Sequence, residues 1–426
     1  MIADPRADEI KIFPFQVSGE IDAPGSKSYI QRAIALATLH AAPVKISGMC
    51  YSQDAKAALG IAQAMGCTVI ERGSTIEIIP AQNAKSNSVS IYCGEAGLST
   101  RMFSPIVALK FHQSEVNGSG SILSRPMDMV VDALEQMGAK VESQDGKLPL
   151  IIHGPILPKP IQIDGSESSQ LLTGLLMACS AMDDPVEITV SQLKSIPYVD
   201  MTMDIMRQFG REVDHENHET FFLKGEGQST AKEVHYKAEG DWSGASFLIV
   251  AACLNGALRI SNLNPKSAQA DRAILDVLPK VGVPFFWEND GLSIQSSSSL
   301  NPFEFDATHC PDLFPPLAAL AAYAQGESVI HGVSRLASKE SNRGLTIQQE
   351  LKALGIEVTL EGDIMRIQGG QVDEGEIYAH EDHRIAMMAA LMAMKASGPV
   401  LIKGAQAITK SYPHFFEDLN LIGQKK

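Results

Sequence analysis

Hydroxyl and cationic residues gathered at the mouths of apolar helices are the feature of this chain most suited to chemistry, and the chemistry they suit is the handling of small anions. In APGSKSYIQRAIALATL (residues 23–39) a Pro-Gly turn precedes Ser26, Lys27 and Ser28, and an apolar helical pattern follows, with Arg32 four residues after Ser28 on the same face. Helix-start N–H groups beside a lysine form an anion site, although a plain helix cap with solvated cations reads the same way. The G-x-x-x-x-G-K-[ST] spacing of a P-loop is absent. GSESSQLLTGLLMACSA (165–181) repeats the pattern with Ser168, Ser169 and Gln170, where two hydroxyls and helix-start amides suit a phosphate and a capping box would look similar. SIPYVD (195–200) adds Ser195 and Tyr198 before another helix, or is simply a turn.

A second group carries more charge. Lys339 and Arg343 lie four residues apart in SKESNRGLTIQQEL (338–351), a like-charge spacing that an anion between them, or Glu340 bridging them, would relieve. EDHRIAMMAALMAM (381–394) sets Asp382, His383 and Arg384 at the start of a strongly apolar helix, where adjacent ionisable groups tune one another and where a lone histidine is otherwise structural. THCPDLFPPLAALAA places Asp312 ahead of an apolar helix, the position that a helix dipole favours for a negative charge. SRPMDMVVDAL adds Arg125 and ITKSYP adds Lys410. Helix starts of this kind, meeting at a common cleft, would concentrate positive potential there and take small polyanions bearing phosphate and carboxylate groups.

The elements that must hold these residues recur with a period. An amphipathic helical stretch, a glycine and a β-rich stretch repeat at Gly66, Gly138, Gly210, Gly282 and Gly355, spaced 72, 72, 72 and 73 residues apart, with a shortened echo at Gly423. Each glycine sits where a helix needs a left-handed residue before the chain turns into a strand. The chain therefore reads as about six copies of one α/β unit, the last completed by the N-terminal KIFPF. Pairing the chain ends in this way gives two halves of about three units, with crossings near residues 23–25 and 239–241. The expected domains are 1–24 with 241–426, discontinuous, and 25–240, continuous.

A length of 426 residues fits two or three compact domains, and a composition with 45% apolar and 20% charged residues supports a large core. A net charge of -15 makes nucleic acid an unfavourable partner. The six cysteines are scattered without a C-x-x-C pair, so neither a zinc site nor a disulfide framework is expected, and a reducing cytoplasm fits. The start MIADPRADEIKIFPF lacks the basic and apolar regions of an export signal. The apolar stretches 247–258 and 385–394 are well short of the roughly 20 residues that span a bilayer, so they are core elements. A monomer is expected, since each half should bury its own core.

Taken in order, PGSKSYIQRAIALATL, GEAGLSTRMF, SRPM, SSQLLTGLLMA, SIPYVD, EGDWSGASF, HCPDLFPPLAALA, KESNRG, EDHRIAMM and TKSYP resemble the 3-phosphoshikimate 1-carboxyvinyltransferase (EPSP synthase) family across essentially the whole chain. The resemblance implies an α/β fold of two similar domains, each of three β-α-β-α-β-β units, with helix N-termini facing a cleft between the domains that holds the active site. It implies transfer of the enolpyruvyl group of phosphoenolpyruvate to the 5-hydroxyl of shikimate 3-phosphate, with no metal or organic cofactor. Carried over to this chain, Ser168, Ser169 and Ser195 hold the shikimate phosphate, with Lys27, Ser28, Arg32, Gln170, Tyr198, Asp312 and Lys339 around its ring. Lys27, Gly97, Arg125, Gln170, Arg343, Arg384 and Lys410 grip phosphoenolpyruvate. Asp312 is the expected base, Glu340 and Lys27 are the proton donors, and His383 orients Glu340.

The chain departs from the family pattern at Glu95, Leu98, Met102, Ile196 and Asn342, where Asn, Thr, Pro, Lys and Asp are common. Glu95 places a carboxylate near anionic ligands and calls for a cation beside it. Bulkier Leu98 is expected to displace Gly97 and to weaken the family's herbicide glyphosate more than substrate. The sister enolpyruvyl transferase acting on UDP-N-acetylglucosamine is the nearest alternative, but it typically has Lys-Asn near the N-terminus and a reactive cysteine in a mobile loop. Here Lys27 precedes Ser28, and Cys67 and Cys93 lie in repeat-core contexts. A non-catalytic repeat scaffold would leave Lys27, Asp312, Glu340 and Arg384 without a joint purpose.

Overall fold

The structure, a computed structural model, describes residues 4, 6–81, 87–225, 227, 232–337 and 339–425. Residues 1–3 and 5 of the acidic start, and Ser338 ahead of Lys339, lie outside them. The fold is α/β, and the chain forms two compact units, Gly25–Ala238 and Met1–Pro24 with Glu239–Lys426. The second crossing falls two residues before the expected 240/241 boundary. Glu239 and Gly240 are tied to the discontinuous unit: the Glu239 carboxylate accepts from the Gln269 amide (2.7 Å) and the Ser267 hydroxyl, and the Gly240 N–H donates to the Asn262 carbonyl at 2.8 Å.

Within Gly25–Ala238 the described strands form three four-stranded sheets of one topology. Ser88–Tyr92 lies parallel to Gln113–Asn117, which pairs antiparallel with Lys147–His153, and Lys140–Gln144 closes the edge. Ile161–Asp164, Val186–Ser191, Thr220–Leu223 and Asp214–Glu216 repeat this order, as do Val234–Lys237, Val44–Ser47, Thr75–Ile79 and Thr68–Arg72. A parallel pair needs a crossover helix, and Gly97–Lys110 and Gln170–Cys179 supply it for two of the sheets. These helices and Lys27–Thr38 are buried along nearly their whole length and pack on one another in the middle of the unit. Most of the buried side chains are apolar, and Gln31, Arg32, Ser99 and Arg101 are buried among them.

The discontinuous unit repeats the plan with variations at its ends. Glu304–Asp306, Glu327–His331, Ile364–Gln368 and Glu357–Glu361 form a four-stranded sheet of the same order. Phe15–Asp22 lies parallel to Gly256–Ser261 in a five-stranded sheet that also receives Gly423–Lys425. The remaining sheet contains Gly375–Tyr378, Val400–Lys403 and, as its antiparallel third strand, Glu9–Ile12. The N-terminal segment thus completes the last sheet, with Glu9–Ile12 in place of the expected KIFPF: Pro14 interrupts the pairing, and Phe15 opens the next strand. Three helices, Trp242–Leu254, Phe314–Ala322 and His383–Met392, are buried on all faces and pack together as this unit's core.

Gly66, Gly138, Gly210, Gly282 and Gly355 all hold left-handed backbone, with φ between +73° and +91°. A side chain at any of them would be strained. Two expectations fail in detail. Gly423 ends its helix with φ -87° and begins a strand, so it is not a left-handed cap. The helical stretch before Gly282 is a 3-10 turn, Ala270–Asp276, followed by a single α-turn, Leu278–Val281, because Pro279 cannot supply the N–H that a continuous helix would require there.

Candidate active site

In the continuous unit the first turns of the three buried helices meet. The Lys27 ammonium, at the start of its helix, pairs with Asp54 at 3.0 Å, both side chains being about 15% exposed. Asp54 lies in the first turn of helix Gln53–Ala64, whose Ser52 caps it by accepting the Ala55 N–H. Gln31 donates to the Ser99 hydroxyl at 2.9 Å, tying the Lys27 helix to the Gly97 helix. Arg32 is buried and donates to neutral acceptors: Thr202 Oγ1 at 2.9 Å, the Ser28 carbonyl at 3.0 Å, the Tyr198 carbonyl at 3.3 Å and Thr173 Oγ1 at 3.4 Å. Burial lowers its pKa to about 10, with Tyr29 and Tyr198 opposing. Arg32 thereby joins the helices that carry Ser28, Tyr198 and the Ser169 cap.

Gly97 marks the point where three long side chains converge. A Cβ there would lie 2.9 Å from Arg125 Nη1, 3.1 Å from Arg101 Nη1 and 3.3 Å from Gln170 Oε1. Arg101 donates to Gln170 Oε1 at 3.2 Å and to the Pro126 carbonyl at 3.1 Å, and its pKa falls to about 10 through burial and then the nearby Arg125. Sequence reasoning did not select Arg101, although it lies within the quoted GEAGLSTRMF phrase. Glu95 accepts the Ser121 N–H at 3.2 Å, and the Ser121 hydroxyl accepts from Arg125 at 3.5 Å, so this carboxylate is linked to the arginine through Ser121. Ser168 accepts the Gln170 N–H at 3.2 Å, and Ser169 is the buried N-cap of helix Gln170–Cys179. Ser195, also buried, has left-handed backbone (φ 56°) at the N-cap of helix Ile196–Gln208. The Lys194 N–H donates to the Gly165 carbonyl at 3.1 Å, so the loops bearing these serines run side by side.

In the discontinuous unit the chemistry centres on Asp312. One carboxylate oxygen accepts from Arg343 at 2.8 Å, the other from Arg384 at 2.9 Å, and Lys339 stands 3.9 Å away. Burial raises the pKa of this carboxyl, but Arg384, Lys339 and Arg343 outweigh burial and hold it well below the usual carboxylate range. Arg343 is fully buried and also donates to Glu340 at 2.7 Å and to Asp382 at 2.9 and 3.2 Å. Glu340 therefore bonds to Arg343, and the carboxylate set against both Lys339 and Arg343, at 3.9 and 2.8 Å, is that of Asp312. Asp382 caps helix His383–Met392 by accepting the Arg384 N–H at 2.9 Å, and also accepts from Ser341 at 3.2 Å. His383 is buried in the first turn of that helix, and Lys410 donates to the Glu381 carbonyl at 2.7 Å.

Asp54, Arg101 and Asp271 join the candidate set only in three dimensions. Asp271 is 1% exposed and accepts from the Ser243 hydroxyl. Its pKa is pushed up to about 7 by burial, with Asp312 adding to the rise and Arg384 opposing it. Between the ordinary aspartate value and about 7 the folded protein keeps a proton that the unfolded chain has lost, so stability falls as pH rises through that window, on the order of 1 kcal/mol per pH unit. Asp271→Asn is expected to remove this decline, raising the melting temperature relative to wild type at about pH 8 and much less at about pH 5. A calorimetric scan showing equal shifts at both pH values would contradict the assignment.

All six cysteines are buried and free of disulfides. Burial pushes the Cys93 thiol up to about 12 and raises Cys67 as well, which leaves both unreactive. Among the described residues no group of His, Cys, Asp and Glu is arranged to hold a metal ion, and no helix is long and apolar enough to cross a membrane.

The fold is one shared with enolpyruvyl transferases: the enolpyruvyl transferase NikO from Streptomyces tendae matches it with a TM-score of 0.77 at 20% identity, covering 97% of this chain and 96% of that one. The chain belongs to the EPSP synthase (3-phosphoshikimate 1-carboxyvinyltransferase) family, whose model matches residues 14–419. Relatives named 3-phosphoshikimate 1-carboxyvinyltransferase include those of Clostridium novyi (strain NT), 32% identical with 98% of both chains covered, and Clostridium acetobutylicum, 34% identical with 97% of both covered. A solved EPSP synthase from Acinetobacter baumannii matches with a TM-score of 0.82 at 26% identity, covering 97% of this chain and 98% of that one.

Proposed function

We propose that this chain transfers the enolpyruvyl group of phosphoenolpyruvate to the 5-hydroxyl of shikimate 3-phosphate, as a cytoplasmic monomer without metal, organic cofactor, nucleic acid or membrane. The observation that carries this reading is Asp312 held between Arg343 and Arg384, with Lys339 beside it. Two arginines whose guanidinium groups share one carboxylate can exchange it for the carboxylate and phosphate of phosphoenolpyruvate. Lys410 belongs to the same unit; Lys27, Gly97, Arg125 and Gln170 belong to the other, and the reading requires both sets to act on one pair of substrates. Ser168, Ser169 and Ser195 take the shikimate phosphate, with Ser28, Arg32, Gln170, Tyr198 and Lys339 about the ring.

The reaction then assigns protons. As the arginines turn to the anion, Asp312 loses the charges that depress its pKa and becomes basic enough to take the proton of the 5-hydroxyl. The hydroxyl oxygen bonds to the central carbon of phosphoenolpyruvate while Lys27, assisted by Glu340, gives a proton to the methylene carbon. The resulting tetrahedral intermediate eliminates phosphate, which leaves with the proton held by Asp312, as the new methyl group returns its proton to Lys27 and the double bond is restored. Asp54 holds the Lys27 ammonium in place until the transfer, and His383 orients Glu340.

The test is phosphate release by the purified protein with phosphoenolpyruvate, with and without shikimate 3-phosphate, beside Lys27→Met. Release that requires both substrates and Lys27 supports the reading; none, with both ligands bound, overturns it. Glyphosate is expected to inhibit more weakly than it does a sensitive family member, because half-buried Leu98 adjoins the Gly97 convergence point. An inhibition constant as low as that of a sensitive member would remove that expectation.

A further inference from the structure

His380 and Glu381 hold consecutive left-handed backbone, with φ of 51° and 55°. Such a conformation costs a non-glycine residue roughly 1 kcal/mol or more and persists only where the surroundings impose it. The pair stands immediately before Asp382, His383 and Arg384, so any relaxation of it would swing the helix cap and the Arg384 guanidinium together.

Two restraints impose the conformation. Glu350, 2% exposed on helix Arg343–Ala353, meets His380 Nε2 with one carboxylate oxygen at 2.7 Å and accepts the Tyr378 N–H with the other at 2.9 Å. From the far side of the turn Lys410 donates to the Glu381 carbonyl at 2.7 Å, and the Asp382 N–H donates to the Ala379 carbonyl at 2.8 Å. The helix that begins with Arg343 therefore carries, two turns further on, a buried carboxylate that fixes the turn leading to Arg384.

We infer that Glu350 is a positioning residue for phosphoenolpyruvate binding: acting through His380, it holds the 380–382 turn in the one conformation that sets Arg384 and Lys410 toward the same anion. This rests on the reading of Arg384 and Lys410 as ligands of phosphoenolpyruvate. Glu350 itself touches neither substrate, and its charge is committed to the turn.

Glu350→Ala is expected to raise the KM for phosphoenolpyruvate roughly tenfold, with the KM for shikimate 3-phosphate nearly unchanged and amide hydrogen exchange across residues 379–384 accelerated. His380→Ala should reproduce that pattern, and since the His380 side chain is 32% exposed, this variant carries the test if Glu350→Ala does not fold. Glu350→Gln should recover most of the wild-type KM, because its amide can accept the Tyr378 N–H and donate to a neutral His380 Nε2. The inference is overturned if the KM for phosphoenolpyruvate stays at the wild-type value, if both KM values rise together with a loss of melting temperature, or if Glu350→Gln behaves like Glu350→Ala. Wild-type protein assayed alongside separates the two claims. A wild type without turnover overturns the proposed reaction, and the positioning role then stands or falls on the exchange of residues 379–384.

Discussion

Arg343→Met is expected to cost the fold about 3–5 kcal/mol, read as a lower midpoint in urea with an unchanged slope. The size of the effect comes from what is left behind. Arg343 and Asp382 are both 0% exposed and bond at 2.9 Å, while Asp312 and Glu340, each about a fifth exposed, share the same guanidinium. Burial opposes the charge on Arg343, but Asp382, Glu340 and Asp312 together outweigh it and raise its pKa. Methionine fills much of the volume and supplies no donor, so Asp382 keeps only Ser341 and the Arg384 N–H. Removing one partner of a buried ion pair is costlier than never having built the pair. The deficit should shrink toward acid pH, where the stranded carboxylates take up protons instead of remaining charged. Arg343→Lys keeps a charge without the planar fork and should fall between the two. A loss under about 1 kcal/mol for Arg343→Met would mean that water or a rearranged Lys339 replaces the guanidinium.

The polar helix starts were legible in sequence because each is local: hydroxyl, cation and apolar stretch follow within a few residues, as in Ser26 to Arg32 or Asp382 to Arg384. The same holds for the period of about 72 residues, since left-handed glycines between helix and strand are dictated by backbone sterics wherever they fall. What sequence withheld is which partner each charge has. Lys27 and Asp54 are 27 residues apart, and Asp312 and Arg384 are 72 apart. In sequence Asp54 looks like an ordinary acid in the first turn of a helix. Arg101 lay inside a quoted phrase yet gave no sign that it would meet Gln170, 69 residues on. Asp271 lies two residues ahead of the helical stretch that leads to Gly282, and only burial beside Ser243 sets it apart. Where local rules competed, the stronger one won: Pro279 broke a pattern whose apolar spacing was helical.

Asp312→Asn separates the two tasks that the proposed reaction gives this carboxylate, and its expected signature is a split. Turnover should fall by roughly two to four orders of magnitude, because asparagine cannot take the proton of the attacking hydroxyl. The KM for phosphoenolpyruvate should hold steady or decrease, because Arg343 and Arg384 no longer have a charged competitor at 2.8 and 2.9 Å. In the wild type that competition is what holds the acid well below the usual carboxylate range, so the carboxylate stays ionised throughout the neutral range and is a poor base until an anion draws the arginines away. Under the proposed reaction anion binding and base activation are one event, which would keep the site from abstracting protons when phosphoenolpyruvate is absent. If Asp312 served only to anchor the arginines, its replacement would raise the KM and leave turnover largely intact. Steady-state kinetics with each substrate varied in turn distinguishes the outcomes, and a raised KM with preserved turnover would remove Asp312 from the chemical step.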